Sequence, residues 1–131
     1  MNTARQTDAK MPLTELVEGL VMDAECRQAC SGISISGMTL DSRQVNPGEI
    51  FIALFGKNHD ARDYIELALQ RGATAVLADE GGQWHGCRRV GNVPIIAVNS
   101  LRIRLGDIAA RFYAWPVLAP KVRLHPLLLC L

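Results

Sequence analysis

Apolar residues along the chain follow two patterns. Uninterrupted apolar runs stand at residues 50–55 (IFIALF), 75–78 (AVLA) and 93–98 (VPIIAV), and runs of this length between turn residues are typical of strands covered on both faces. Before, between and after these runs, apolar residues recur every three or four positions, as on one face of a helix. A strand, a helix and a strand in succession predict a βαβ crossover, which joins parallel strands. We therefore predict a single α/β domain with a mostly parallel sheet flanked by helices, in two or three layers.

Three segments carry the helical period, and turn residues mark their ends. The three apolar stripes are Leu13, Leu16, Val17, Leu20 and Val21; Tyr64, Ile65, Ala68 and Leu69; and Leu101, Leu105, Ile108 and Phe112. Asp60 is predicted to cap the second helix and Asn99 the third, because both side chains accept hydrogen bonds from free backbone N–H groups. Gly72 stands where a left-handed residue commonly ends a helix.

The segments between these elements predict one further strand, a turn and a loop. Residues 31–39 alternate apolar and polar side chains, with Gly37 interrupting the alternation as a bend or bulge would. Asn46-Pro47-Gly48 predicts a tight turn. Residues 81–92 are polar and glycine-rich, and we interpret them as a mobile surface loop. A ligand lid formed by Trp84 and His85 is the less favoured interpretation.

The two ends of the chain differ from its centre. Residues 1–11 are mostly polar and predict a flexible N-terminus, whereas residues 12–116 hold the predicted domain. Residues 117–131 contain Pro120 and Pro126, which disfavour a helix, and end in the apolar segment 127–131, which favours self-association. A strand cut off within its length and an out-of-frame tail remain alternative explanations, and both predict a truncated chain.

Composition narrows the class of protein. A chain of 131 residues can bury one core without disulfides or metals. The formal net charge of +1 gives no indication of a nucleic acid or an anionic membrane as a partner. No apolar run approaches the roughly 18 residues that span a bilayer, and the polar start of the chain does not have the pattern of a secretory signal. We expect a cytoplasmic protein.

Four cysteines do not form a recognisable metal or disulfide pattern. Three residues separate Cys26 from Cys30 and no second pair follows, and Cys87 follows His85 with one Gly between them. Cys130 stands alone near the C-terminus. We interpret all four as reduced, unligated thiols, as is usual in a cytoplasmic protein.

A polar loop directly after the run 50–55 is the first candidate for chemistry. Ligands of open α/β sheets bind at the carboxyl edge of the strands, where Gly56 would let a ligand approach the backbone closely. Lys57 offers a positive charge for a diphosphate, and Asn58 and His59 can hydrogen-bond neutral groups. The alternative is a solvated loop whose Asp60 caps the next helix.

Asp41-Ser42-Arg43 is the second candidate. The Ser42 hydroxyl offers a donor and two acceptor lone pairs to a phosphate oxygen or a base edge. Alternatively, Ser42 caps a turn while Asp41 and Arg43 form a surface ion pair. A nucleophilic role for Ser42 is not expected, because no His stands in a recognisable catalytic arrangement with it. No phosphate loop of the form G-x-x-x-x-G-K-[ST] occurs in the 131 residues.

Taken together, the motifs resemble a known family. The segment TLDSRQVNPGEIFIALFGKNHDARDYIELALQRGATAVLAD is similar to the N-terminal domain of the Mur ligases of peptidoglycan synthesis, and the similarity extends over about residues 13–116. In that family the domain binds the UDP end of a UDP-linked muramoyl peptide. The resemblance implies that Leu40, Ser42, Lys57, Asn58 and His59 bind the UDP moiety here. Ala61 departs from the family pattern, which has Gly after the Asp, and could strain the backbone or start the next helix earlier.

The resemblance also implies where the remaining chemistry lies. The family forms an amide bond with ATP and Mg²⁺ through an acyl phosphate, and its phosphate loop and amino-acid site would follow residue 131. This chain alone is therefore expected to bind neither ATP nor Mg²⁺ and to be inactive. Leu40 and the segment NSLRIRLGDIAARFYAWP are most similar to the members that add diaminopimelate or lysine to the peptide. The members that add D-alanyl-D-alanine, and a non-enzymatic nucleotide-binding module, are the alternatives.

Overall fold

A five-stranded sheet forms the centre of the computed structural model, which describes residues 10–20 and 23–114. The strands of the described residues are β1 (Met11–Pro12), β2 (Ser34–Ile35), β3 (Gly37–Thr39), β4 (Glu49–Ala53), β5 (Ala75–Asp79), β6 (Cys87–Val90) and β7 (Val93–Val98). The main sheet has the order β3-β4-β5-β7-β6. Its first four strands run parallel and β6 pairs antiparallel with β7, while β1 and β2 pair separately. The prediction of a mostly parallel sheet is confirmed.

Helices cover both faces of this sheet. They are α1 (Leu13–Leu16), α2 (Ala24–Cys30), α3 (Ile65–Gln70) and α4 (Leu101–Tyr113), with 3-10 turns at Ser42–Gln44 and Ala61–Tyr64. β4, α3 and β5 form the predicted crossover between two adjacent parallel strands. Gly48, in the predicted tight turn, and Gly72, at the predicted helix end, have positive φ of +94° and +102°.

Alternate side chains of the central strands enter two separate cores. Ile50 and Ile52 point into a larger core that contains residues of α1, α2 and α4. Phe51 and Ala53 point to the other face, where they pack with residues of α3. All four side chains are fully buried, so the apolar run at the start of residues 50–55 reflects burial on both faces. The domain is therefore three-layered.

The polar segment 81–92 contains a strand that the sequence did not predict. Residues 87–90 form β6, which hydrogen-bonds β7 with Cys87 opposite Ile96 and Val90 opposite Val93. The prediction of a loop throughout was wrong, because three of these four residues are exposed and an exposed edge strand carries no apolar pattern. Trp84 is half-buried and packs against the core that contains Phe51 and Ala53, so it does not lie in a freely exposed loop.

The ends of three predicted elements also differ in the structure. The first helix stops at Leu16, although Val17 is buried beside it. Residues 31–39 form two strands in different sheets, and Gly37 begins the second of them. Tyr64, expected on the apolar face of its helix, is 43% exposed.

The start of α4 uses a cap that is remote in sequence. Asn99 does not cap this helix, because Ser100 occupies the cap position with φ +57°, and the Ser100 side chain accepts no hydrogen bond from the first turn. Instead the Leu101 N–H donates to the carboxylate of Asp79 at the end of β5. Leu101 and Ile108 of the predicted apolar face are buried, and Leu105 and Phe112 pack against the same core.

The predictions for the chain ends fall partly outside the described residues. Met11, which was assigned to the predicted flexible N-terminus, lies in β1 and is buried. The rest of the predicted flexible N-terminus up to residue 9, the predicted tail 117–131, and its self-association lie outside the description, as does Cys130.

Candidate functional site

Hydrogen bonds within residues 39–43 fix the conformation of the segment that follows β3. The Thr39 hydroxyl accepts a hydrogen bond from the Asp41 N–H at 3.1 Å. The Asp41 carboxylate accepts from the Arg43 N–H at 2.9 Å and pairs with both arms of its guanidinium at 3.1 Å. These bonds form the 3-10 turn that follows, and they turn Ser42 inward while Leu40 stays 49% exposed.

A second wall is formed by residues 56–64, after β4. The Gly56 N–H donates to the His59 carbonyl at 2.9 Å, and a Cβ on Gly56 would stand 2.9 Å from that same oxygen. Close approach of the two backbones therefore requires glycine here. The His59 ring stacks on Tyr64 with 5.2 Å between ring centroids and 16° between planes.

The two walls enclose a cleft of about 600 Å³ at the carboxyl ends of β3 and β4. Its lining consists of Thr39, Leu40, Asp41, Ser42, Arg43, Phe51, His59, Ala61, Tyr64 and Leu67. Ser42 is 8% exposed and is the one buried polar residue among those that the structure describes. An apolar cleft of this size with a few polar groups is typical of a small-molecule site.

The cleft brings together three of the five predicted site residues. Leu40, Ser42 and His59 line it although they come from two separate segments. Lys57 and Asn58 are exposed on the neighbouring loop and are not part of its lining. Ala61 begins a 3-10 turn without the left-handed backbone that would favour glycine, so the departure from the family pattern causes no strain of that kind here.

Arg62 is a central residue of this region that sequence reasoning missed. Its guanidinium pairs with both oxygens of Asp60 at 2.8 and 2.9 Å and lies 4.6 Å from the centre of the Phe55 ring. It also donates to the carbonyls of Asp79 and Gly81 at 3.0 and 3.2 Å. A signal was present in the sequence, because D-A-R at residues 60–62 repeats the D-S-R spacing of residues 41–43.

The two Asp–Arg pairs set the charges around the cleft. The Arg43 guanidinium lowers the pKa of the exposed Asp41 carboxyl through hydrogen bonds. The Arg62 guanidinium lowers the pKa of Asp60 in the same way, against the opposing effect of burial. Both carboxylates are therefore ionised and neutralised by their partners at neutral pH.

Three cysteines of the described residues lie between α2 and β6 as free thiols. Burial raises the pKa of Cys26 to about 12 and that of Cys30 to about 11, and it also raises the pKa of Cys87. These thiols stay protonated at neutral pH, and a protonated thiol is a poor nucleophile and metal ligand. Within residues 10–20 and 23–114, no group of three His, Cys, Asp or Glu side chains is arranged to hold a metal ion.

The described residues form neither a membrane-spanning helix nor a typical phosphate-binding loop in the cleft. None of their helices is long and apolar enough to cross a membrane. The cleft presents no glycine-rich turn leading into a phosphate-binding Lys, which is the arrangement that holds the phosphates of ATP in many enzymes. The residues of the cleft therefore do not fit an ATP–Mg²⁺ complex.

Comparison with known proteins identifies the family. Residues 34–113 match the family model described as "Mur ligase family, catalytic domain". The chain is 40% identical over 106 residues to a UDP-N-acetylmuramoyl-L-alanyl-D-glutamate–2,6-diaminopimelate ligase from Pseudomonas putida, covering 81% of this chain and 19% of that protein. It is 38% identical over 96 residues to the ligase of the same name from Coxiella burnetii, covering 73% and 19%. The chain thus spans about a fifth of the length of these relatives.

Solved structures agree with this assignment. A structure of a UDP-N-acetylmuramoyl-L-alanyl-D-glutamate–2,6-diaminopimelate ligase superposes with a TM-score of 0.57 at 27% identity, over 80% of this chain and 19% of that one. MurF from Acinetobacter baumannii superposes with a TM-score of 0.60 at 18% identity, over 79% and 21%, and shows the fold alone. The expected fold and the resemblance are both confirmed, and the chain belongs to the Mur ligase family.

Proposed function

We propose that this chain is the domain that binds the UDP end of a UDP-linked muramoyl peptide in a ligase of peptidoglycan synthesis. The observation that carries the proposal is the cleft, where Leu40, Ser42 and His59 meet at the carboxyl ends of β3 and β4. This edge of a parallel sheet is where α/β proteins commonly bind nucleotides. The relatives at 38% and 40% identity support the type of ligase that adds diaminopimelate; addition of lysine in its place is the alternative.

Each part of the cleft has a chemical task in this proposal. The Ser42 hydroxyl hydrogen-bonds a polar edge of the nucleotide, because it is the buried polar group at the wall. The flat faces of His59 and Tyr64 offer apolar contact area to a planar base. Lys57 and Asn58, exposed on the loop outside the cleft, extend the site toward the diphosphate, where a positive charge is favourable.

The ligation chemistry is assigned to residues outside these 131. Ligases of this family use ATP and Mg²⁺ to activate a carboxylate, and the sequence contains no G-x-x-x-x-G-K-[ST] loop to hold the phosphates of ATP. The whole protein would act in the cytoplasm, where UDP-linked precursors are made. We propose that the chain alone binds substrate without forming the amide bond, so phosphate release from ATP should not exceed a no-protein control.

Binding tests the proposal directly. Isothermal titration calorimetry with UDP-N-acetylmuramoyl-L-alanyl-D-glutamate should give a dissociation constant no tighter than about 10–100 μM, because one domain supplies part of the contact surface and must order its loop. Ser42→Ala should weaken binding by about 1–2 kcal/mol, the value of a hydrogen bond to a buried polar group. Ser31→Ala, at an exposed serine after α2, is the matched control and should bind like the wild type.

A second series separates the base from the phosphates. UDP should compete with the peptide ligand more strongly than ADP, since the cleft is proposed to hold the uracil. Lys57→Ala should weaken UDP and leave uridine unchanged, because the charge of Lys57 acts on the diphosphate. Equal affinity of wild type and Ser42→Ala, together with equal competition by UDP and ADP, would contradict the site assignment.

A further inference from the structure

We infer that Arg62 is a positioning residue for the substrate cleft: it holds the loop of residues 56–60 in the conformation that binds the nucleotide. The inference deepens the proposed function and rests on it, since the loop carries three residues of the proposed site. Arg62 itself does not line the cleft. Arg62 therefore makes no direct contact with a ligand in the cleft, and its proposed effect acts through the loop.

The side chain of Arg62 is nine-tenths buried and fully engaged. It is 10% exposed, and its two-armed pairing with Asp60 fixes the end of the loop. The remaining donor reaches the carbonyls of Asp79 and Gly81 at the end of β5. One planar group thus ties the loop to the neighbouring strand, and only a guanidinium has donors arranged for all of these acceptors.

The start of the loop is tied to the same strand by a different bond. The Phe55 N–H donates to the Asp79 carboxylate at 2.9 Å, while the Phe55 ring lies under the Arg62 guanidinium. Phe55 and Asp60 also face each other as an isolated antiparallel bridge. Both ends of the loop are therefore tied to the end of β5, one of them through Arg62, while the Ala61 N–H also donates to the Leu54 carbonyl at 2.9 Å across the base of the loop.

The residues within the loop contribute little burial of their own. Lys57, Asn58 and His59 are all exposed, and the backbone bond from Gly56 to His59 closes the loop on itself without joining it to the sheet. An exposed loop held by few anchors samples other conformations when one anchor is lost. The apparent dissociation constant rises in proportion as the binding-competent fraction falls.

Two substitutions test the inference. Arg62→Lys keeps the positive charge and a side chain of similar length but loses the paired guanidinium donors. Arg62→Ala removes the charged side chain altogether. Both should raise the dissociation constant for UDP-N-acetylmuramoyl-L-alanyl-D-glutamate about tenfold, which corresponds to a binding-competent loop in about one molecule in ten. Arg88→Ala is the matched control, because Arg88 also lies over an aromatic ring, at 4.7 Å from the centre of Trp84, and donates to a backbone carbonyl. It lies away from the cleft and should bind like the wild type.

A readout independent of ligand separates positioning from general destabilisation. Backbone ¹⁵N relaxation of the full chain without ligand should show lower order parameters at residues 56–59 in both Arg62 variants and unchanged values in β4 and β5. Ser42→Ala should also weaken binding, but it should leave the order parameters of the loop unchanged. Should Arg62→Ala not fold, the decision rests on Arg62→Lys.

The possible results distinguish this inference from the proposed function. An ordered loop in Arg62→Lys, or a disordered loop with wild-type affinity, overturns the inference and leaves the proposed function standing. Failure of the wild type to bind any UDP-linked ligand overturns the proposed function, and with it the assignment of Arg62 to a substrate site. Reduced affinity with loss of order confined to residues 56–59 supports both.

Discussion

Replacing Asp79 by Ala removes a carboxylate that joins three elements of the fold. Asp79 ends β5, the central strand of the sheet. One carboxylate oxygen accepts from the Phe55 N–H after β4 at 2.9 Å, and the other accepts from the Leu101 N–H at the start of α4 at 3.1 Å. The side chain therefore caps a helix and fixes a strand end at the same time.

The cost of this substitution follows from the two bonds. A hydrogen bond to a charged group contributes about 1.5–3 kcal/mol when its partners are shielded from water, and the partial exposure of Asp79 places each bond at the lower end. We expect Asp79→Ala to lower the free energy of unfolding by about 2–4 kcal/mol. Asp79→Asn keeps one acceptor oxygen but turns an N–H₂ group toward the second donor, and about 1–2 kcal/mol should be lost.

Urea denaturation followed by circular dichroism at 222 nm measures both values. Glu80→Ala is the matched control, because Glu80 is the adjacent exposed acid and should change stability by less than about 0.5 kcal/mol. A loss below that same limit in Asp79→Ala would refute the reasoning, since it would mean that water replaces the carboxylate at both N–H groups without cost.

Three other substitutions test local features of the same framework. Gly72→Ala should cost about 1–3 kcal/mol in thermal unfolding, because φ is +102° and the added Cβ would stand 3.1 Å from Pro47. Asp60→Asn should flatten the acid side of the stability profile: the pKa of Asp60 is lowered by Arg62, so its stabilising contribution is present at neutral pH and is lost as pH falls below about 4. Ala61→Gly should lower stability by about 0.5–1 kcal/mol without improving UDP binding, because Ala61 already has an ordinary backbone conformation.

The buried strands could be predicted because the apolar character of their own side chains indicates them. Residues 50–53 and 75–78 are buried on both faces of the sheet, so their apolar runs could be recognised without knowing their neighbours. The parallel order followed from the crossover between β4 and β5. In contrast, β6 is an exposed edge strand whose position depends on backbone hydrogen bonds to β7. Backbone hydrogen bonds do not require a particular pattern of apolar and polar side chains, so the sequence does not indicate this strand.

The same distinction applies to the cleft: the sequence could predict some of its residues, but not that they lie together. The D-S-R segment and the loop after β4 could be chosen from the sequence, because each follows a strand and carries polar groups at the edge where ligands bind. That Leu40, Ser42 and His59 share one cleft, however, depends on the lateral pairing of β3 with β4. The same holds for the anchors of the loop, since Arg62 reaches carbonyls 17 and 19 residues away across the sheet edge. Sequence spacing identifies which groups are chemically able to bind, whereas their convergence is set by contacts between strands that are distant along the chain.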